Sequence, residues 1–302
     1  MTPIAHLPRK VSMRMPAKLN IALAVGPARA DGFHELATIF HAVSLYDVVT
    51  VSERPDGAGI SLTCDDPKVP SDADNLAWHA CERIAAELGH APDVHIAIEK
   101  GIPTAGGMAG GSTDAAGVLL ALNELWQGGL SRERLQELGA EIGSDVPFCI
   151  AGGTQLGTGR GEILMPVLAR GTFHWVIATA ITGLSTPEVF RTLDRMRPHA
   201  EEPRVPEAVM TALRSGDAHA LGRALMNDLQ PAALTLQPMV RRTLDAGLEG
   251  GALGAIVSGS GPTCVFLVRD EEHALDVRIA ISATGSADRF VSAYGPVRPQ
   301  ML

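Results

Sequence analysis

The stretch Gly106-Gly107-Met108-Ala109-Gly110-Gly111-Ser112-Thr113 constrains this chain more than any other. Four glycines in six positions do not sustain a helix or a strand, because ordered glycine gives up more backbone freedom than any other residue. Ala115, Val118, Leu119, Leu122, Leu125 and Trp126 then recur at helical spacing, and Gly128-Gly129 ends the pattern. A glycine-rich loop thus feeds a helix N-terminus. Such an end offers unpaired backbone N–H groups and the positive end of the helix dipole, and residues without side chains let an anion come close. A bound phosphate fits these properties. A flexible turn ahead of a core helix fits them too. The lysine-bearing P-loop is excluded, since no Gly-Lys-Ser or Gly-Lys-Thr occurs, and the dinucleotide fingerprint is not met.

The chain carries 34 acidic against 25 basic residues, a formal charge of −9. Wholesale binding to nucleic acid is therefore not expected, and any anionic ligand must be held by local positive charge and backbone dipoles. With 302 residues, 46% of them hydrophobic, the chain can bury sizeable cores in about two domains. No apolar run reaches the roughly 18–20 residues of a membrane span, and the N-terminus has no signal-peptide core, so no membrane partner and a cytoplasmic location are expected. Cys64, Cys81, Cys149 and Cys264 are scattered, without a Cys-x-x-Cys pair, and read as reduced, mostly buried thiols.

In chain order, residues 1–13 read as a mobile lead-in. Pro16 to Val25 reads as a strand whose odd positions are apolar. Alternation places Lys18 and Asn20 on one face with Ala22 and Ala24, either a small-residue site or a plain solvent face. Asp31-Gly32 marks a tight turn. Phe33 and His34 follow it, as a shelf for a base or as a core anchor beside an exposed imidazole. Separate strands are expected at 38–45 and 47–52. Asp72-Ala73-Asp74-Asn75 opens a helix, with the carboxylates and Asn75 as caps, and Gly89 ends it. A strand at 94–99 delivers Lys100 to the edge of the glycine-rich loop. Ser131 caps the next helix. Asp145, in Gly143-Ser144-Asp145-Val146-Pro147-Phe148, reads locally as a helix cap before a general base.

Residues 152–161, dominated by Gly and Thr, read as a loop, and a domain boundary is placed after them, giving regions 1–168 and 169–302. In the second region a strand near 173–178 precedes a polar surface loop at 197–206. Helical patterns follow at 206–215, 217–229 and 231–247. Strands at 255–257 and 263–268 flank Ser258-Gly259-Ser260-Gly261-Pro262. A helix at 271–284 and a strand at 290–294 complete an α+β layer.

Three separated segments resemble the GHMP small-molecule kinases: Pro16-Ala17-Lys18-Leu19-Asn20, Pro103 to Ala116, and Ser258-Gly259-Ser260-Gly261-Pro262-Thr263. Their order and spacing span nearly the whole chain. Within that family, segments 31–36, 110–116 and 143–148 are most similar to the branch of non-mevalonate isoprenoid precursor synthesis that phosphorylates an alcohol of a cytidine diphosphate compound. The resemblance implies a two-domain α+β fold: an N-terminal nucleotide-binding domain like ribosomal protein S5 (1–168) and a ferredoxin-like C-terminal substrate-binding domain (169–302). It implies ATP and Mg²⁺, a small-molecule partner, and a monomer or homodimer. It further implies Asp145 as general base and Lys18 at the reacting hydroxyl, with Asn20 beside it. The nucleotide would be held by Asn75, Lys100, Pro103, Gly106, Gly107, Met108, Ala109, Gly110, Gly111, Ser112 and Thr113. Phe33, usually Tyr in this branch, and Phe190 would cover the two faces of cytosine, His34 would hydrogen-bond it, and Thr186 would line the same site. The metal ligand among Ser112, Thr113 and Asp114 stays open. Met108-Ala109 stands where Leu-Gly is usual. Homoserine or mevalonate kinase, or a nucleotide-binding regulator without catalysis, are the alternatives.

Overall fold

A computed structural model of the chain describes residues 8–104, 106–180 and 182–302. Its first half runs β1 (Lys10–Ala28), β2 (His34–Glu53), β3 (Ser61–Cys64), α1 (Leu76–Leu88), β4 (Val94–Glu99), α2 (Gly110–Leu125), α3 (Arg132–Ile142), α4 (Val146–Ala151), β5 (Thr154–Gly159) and β6 (Ile163–Pro166). The second half runs β7 (Phe173–Thr179), α5 (Thr186–Met196), α6 (Glu207–Ser215), α7 (Ala218–Ala224), β8 (Met226–Asn227), α8 (Gln230–Leu236), α9 (Met239–Glu249), β9 (Gly254–Val257), β10 (Cys264–Val268), α10 (Glu271–Ser282), β11 (Arg289–Gly295) and β12 (Gln300–Met301).

Two sheets organise these elements. The larger has β12, β1, β2, β4 and β3 in that order, with β5 also on β2, β6 on β5 and β8 on β1. The smaller has the order β11-β7-β10-β9. Strands β8 and β12, both beyond residue 169, pair with β1 and tie the second half of the chain to the first sheet.

One core lies between the large sheet and helices α1, α2 and α4. Helix α2 sits at its centre: Val118, Leu119 and Leu122 are fully buried. Each such side chain contributes roughly 1.5–3 kcal/mol of apolar burial. Gly117 lets the helix approach the sheet, because a Cβ there would come within 2.8 Å of Val49 and 3.0 Å of Met15. A valine at 117 would push α2, and the loop before it, off the sheet. A second core lies between the two sheets, around Leu19, Ile39, Trp175 and Val265. A third is covered by α9 and α10 on the other face of the small sheet.

The structure corrects several expectations. Residues 10–13 belong to β1, paired with Ser52 through Val49 on β2, and Met13 is buried; residues 1–7 lie outside the described residues. The two strands expected at 38–45 and 47–52 are parts of one strand, β2. Residues 154–159 form β5 instead of a loop, because pairing with Leu36 through His41 satisfies backbone that glycine propensity alone would leave irregular. The pattern at 231–247 divides into α8 and α9 at Pro238. Strict alternation on β1 also fails. Register shifts between Pro16 and Ala17 and between Asn20 and Ala22 re-aim the strand, so Leu19 and Ile21 enter the inter-sheet core while Leu23 and Val25 join a separate cluster with Val189. Lys18 and Asn20 lie between these two irregularities.

Cys81, Cys149 and Cys264 are buried and Cys64 half-buried, all as free thiols. Burial pushes the thiols of Cys81 and Cys149 up to about 12, which suppresses the reactive thiolate.

Candidate active site

The glycine-rich loop borders two cavities. One, of about 680 Å³, is lined among others by Lys18, Asn20, Gly107, Ala109, Asp145 and Ser260. The other, of about 520 Å³, is lined among others by Lys68, Lys100, Pro103, Thr104, Gly106 and Arg289. Gly107 adopts φ +68°, and a Cβ there would meet the carbonyl oxygens of Ser258 at 3.2 Å and Gly261 at 3.3 Å. The glycine-rich loop and the third motif thus pack backbone against backbone. Ala109, the residue just before α2, also has a positive φ, 62°. This is the position where the family pattern has glycine, and a left-handed alanine costs roughly 1–2 kcal/mol. Ala105 lies outside the described residues.

In the larger cavity Lys18 is almost wholly buried. Its ammonium lies 3.2 Å from Asp145 Oδ2 and donates to Asn20 Oδ1 at 2.9 Å. Asn20 Nδ2 donates to Thr38 Oγ1 at 2.8 Å, and that hydroxyl donates to the Ala22 carbonyl at 2.8 Å. The ring of Phe40 lies beneath the ammonium, 5.0 Å from its centroid. Each group in this chain is fixed by the next, so the ammonium is held in one place. Asp145 begins α4 but its side chain makes no capping hydrogen bond. The expected cap is therefore absent, and the carboxylate, 29% exposed, is left to Lys18 and the cavity. The pair can accept a proton at Asp145 and offer positive charge to an oxygen beside Lys18.

A shelf of rings closes the far end of the cavity. The Asp31-Gly32 turn is held by Phe33 N–H donating to Asp31 Oδ1 at 3.0 Å, with Gly32 at φ +83°. Phe33 is 51% exposed. That value rules out the core-anchor alternative. The guanidinium of Arg160 lies over its ring at 5.0 Å. His34 is buried, stacks on Phe190 at 4.8 Å between centroids, and has its Nε2 2.8 Å from Asp194 Oδ1. Helix α5 supplies Thr186, Phe190 and Asp194 from one face, at four-residue spacing, while Val189 and Leu193 are buried on the other. Thr186 Oγ1 is 2.8 Å from Ser260 Oγ, linking this face to the third motif.

Several predicted nucleotide ligands are placed differently. Met108 is buried in the inter-sheet core, so only its backbone faces the loop. Thr113 is fully buried, its hydroxyl against Cys149 Sγ at 3.3 Å and the Pro16 carbonyl at 3.5 Å, which removes it as a side-chain ligand. Asn75 caps α1: its Oδ1 accepts from Ala77 N–H at 2.9 Å and its Nδ2 donates to the Pro70 carbonyl at 2.7 Å. Lys100 Nζ is sealed between Asp47 at 2.5 Å and Asp114 at 2.7 Å. Burial opposes its charge, but Asp114 and Asp47 outweigh this and hold the ammonium above its ordinary range. Asp47 Oδ1 also accepts from Gly101 N–H and Ile102 N–H, both at 2.8 Å. Asp114 is driven well above the usual carboxylate range, first by burial and then by Asp47, and its Oδ1 has no partner among the described residues.

Phe40, Thr38, Arg160 and Asp194 were not singled out by the sequence. Thr38 and Phe40 depend on the register of β2 against β1, which is a long-range property. Asp194 was accessible in principle, because it follows Phe190 by one helical turn.

The loop, the Lys18–Asp145 pair and the two cavities fit a small-molecule kinase. The GHMP kinases N terminal domain matches residues 75–153, and the GHMP kinases C terminal domain matches residues 209–287. The chain belongs to the GHMP kinases. Its relative from Thermobifida fusca, named 4-diphosphocytidyl-2-C-methyl-D-erythritol kinase, is 53% identical over 300 residues, covering 97% of this chain and 98% of the relative. A crystal structure of 4-(cytidine 5'-diphospho)-2C-methyl-D-erythritol kinase superposes with a TM-score of 0.78 at 31% identity, covering 94% of this chain and 98% of that one. Homoserine kinase from Cytophaga hutchinsonii shares the fold, with a TM-score of 0.75 over 97% of both chains, at only 20% identity.

Proposed function

We propose that this chain transfers the γ-phosphoryl group of ATP to the 2-hydroxyl of 4-diphosphocytidyl-2-C-methyl-D-erythritol, a step of the non-mevalonate isoprenoid precursor pathway. The observation that carries this reading is one cavity with the Lys18–Asp145 pair at one end and Phe33, His34 and Phe190 at the other. A homoserine- or mevalonate-sized substrate has no use for the aromatic end. A regulator without catalysis has no use for the pair.

In this reading Asp145 takes the proton of the attacking hydroxyl, and Lys18, held by Asn20, stabilises the oxygen as it becomes negative. Asn20 is thereby a positioning residue for Lys18. Gly106, Gly107, Gly110, Gly111 and the backbone of Met108 and Ala109 receive the triphosphate at the start of α2. The adenosine moiety occupies the cavity beside Lys68, Pro103 and Thr104. Among the described residues no group of three or more His, Cys, Asp or Glu side chains is arranged to hold a metal. That suits Mg²⁺ carried mainly by phosphates and water. Of Ser112, Thr113 and Asp114 only Ser112 is not fully buried, so Ser112 would hold the ion; once bound, it would offset triphosphate charge. Residues 1–168 form the nucleotide-binding domain and 169–302 the substrate-binding domain. No helix among the described residues is long and apolar enough to cross a membrane. Work in the cytoplasm, as a monomer or homodimer, belongs to the same proposal.

The test is turnover with ATP and the cytidine diphosphate substrate, set against homoserine and mevalonate. Turnover of the cytidine compound alone is expected; turnover of either small alcohol instead would overturn the assignment. Phe33→Ala sharpens it. Stacking on a base is worth ~1–3 kcal/mol, so KM for the cytidine substrate should rise roughly 5- to 150-fold with KM for ATP nearly unchanged. Because Phe33 is half exposed, unfolding of the same preparation should barely change.

A further inference from the structure

His34 offers the cavity one ring nitrogen, and its other nitrogen is committed. Nε2 lies 2.8 Å from Asp194 Oδ1. A carboxylate can only accept, so Nε2 carries a proton. In the neutral imidazole, Nδ1 is then a bare lone pair. Nδ1 has no protein hydrogen-bond partner among the described residues, nor is it one of the sealed polar atoms. The ring cannot easily turn over to exchange the two nitrogens. It is 8% exposed, stacks on Phe190 at an interplanar angle of 32°, and shares the cavity wall with Asp194 from the same helix as Phe190.

We propose that Asp194 is a specificity-determining positioning residue: by holding the His34 proton on Nε2, it makes Nδ1 an acceptor that selects a pyrimidine bearing an exocyclic amino group over one bearing a carbonyl. The two pyrimidines differ at that position by a donor against an acceptor. Cytosine donates its amino hydrogen to Nδ1. Uracil sets a carbonyl oxygen against the Nδ1 lone pair, and both groups are left unpaired in a largely desolvated corner. Stacking by Phe33 cannot make this distinction, because both bases present a similar ring face. Discrimination therefore falls to the polar edge, and the state of that edge is set by Asp194 acting through His34.

This inference rests on the cytidine diphosphate reading of the cavity, so its test has an arm independent of turnover. The first measurement is the ¹⁵N spectrum of the His34 ring at pH 8.5, where an unperturbed imidazole in water is neutral. The expected spectrum shows protonated Nε2 and unprotonated Nδ1 in the wild type, and a mixture of tautomers in Asp194→Ala. A wild-type ring protonated on Nδ1 overturns the proposal. The second is calorimetric binding of CDP and UDP to protein saturated with a non-hydrolysable ATP analogue, which keeps both probes out of the nucleotide cavity. CDP should be preferred by the wild type, and the CDP-to-UDP affinity ratio should fall roughly 5- to 150-fold in Asp194→Ala. Asp194→Glu, which restores an acceptor, should recover part of the ratio, an outcome that a purely structural role for Asp194 does not produce. An unchanged ratio in Asp194→Ala, or no CDP preference in an active wild type, overturns the proposal and leaves the kinase assignment standing. Binding of neither nucleotide by the wild type overturns the cytidine reading itself, and the proposal with it. Asp194 is 46% exposed, so the variants are expected to fold.

Discussion

Two lysines flank the glycine-rich loop, and each faces aspartate. Lys18 meets Asp145 at 3.2 Å across the wall of an open cavity, and Asp145 keeps 29% of its side chain in contact with solvent. Lys100 meets Asp47 and Asp114 inside the fold, where the three side chains are 6%, 0% and 1% exposed. The residue types are the same, although Lys18 lies within β1 and Lys100 just past the end of β4. Burial separates them. A carboxylate that still reaches solvent and substrate can exchange a proton during a reaction. A carboxylate sealed with a cation cannot reach a substrate; what it can do is join elements. Asp47 on β2, Lys100 just past β4 and Asp114, the fifth residue of α2, are bound together, so the N-terminal part of the helix is tied to the sheet. In the proposed reading the open pair does the chemistry, while the closed triad fixes the platform from which the loop projects.

Removing the proton acceptor of the open pair should have the largest effect. Asp145→Asn preserves size, and no capping hydrogen bond is lost with it. Turnover at saturating substrate is expected to fall about 10²–10⁴-fold, with the melting temperature within a degree or two of wild type. Near-normal turnover by the purified variant would take the base role away from Asp145 and erase the distinction between the two lysine sites.

The closed triad should respond in stability. Lys100→Met leaves the Asp47 carboxylate buried without its cation, a change that costs about 3–5 kcal/mol in buried pairs. Lys18→Met should cost less, because Asp145 can turn to water. Chemical denaturation of both variants compares them directly. Equal losses would mean that exposure at Asp145 does not relieve the unpaired charge, and the contrast would fail.

How much of this was legible beforehand follows the same division. Local features were readable: the glycine-rich loop before α2, the Asn75 and Ser131 caps, the Asp31-Gly32 turn and most of the helices. So were Lys18, Asp145, Phe33 and His34, since the motifs that carry them are contiguous. Pairing across the chain was not. Nothing near Lys100 in sequence announces Asp47, which is 53 residues away. Glycine and threonine at 154–159 hid a strand whose existence depends on β2. The two register shifts in β1 that re-aim Leu23 away from Lys18's side arise from the fit to β2, where local alternation has no say. Thr113 looked like a loop hydroxyl because its neighbours are; helical rotation by one position from Ser112 turns it into the core.

The finest test separates the two carboxylates of the triad from each other. Asp47 accepts two backbone N–H groups as well as Lys100, whereas Asp114 accepts only Lys100 and leaves Oδ1 without a partner among the described residues. Burial and the neighbouring Asp47 charge drive Asp114 well above the ordinary carboxylate range, against the pull of Lys100. The folded state therefore holds a proton at Asp114 that the unfolded chain releases near the normal aspartate value, roughly 4. Between that value and the raised one, the folded state binds more protons, so Asp114 makes stability fall as pH rises. Asp114→Asn has nearly the shape of the protonated acid and no titration. Its unfolding free energy should depend less on pH above about 4, and at pH 8 it should equal or exceed that of the wild type, with Lys100 left in a neutral pair with Asp47. Denaturant unfolding at several pH values reads this out. A strong loss of stability in Asp114→Asn at pH 8, with the wild-type slope unchanged, would show that Asp114 is held as an anion by Lys100 and that the triad's two carboxylates are equivalent after all.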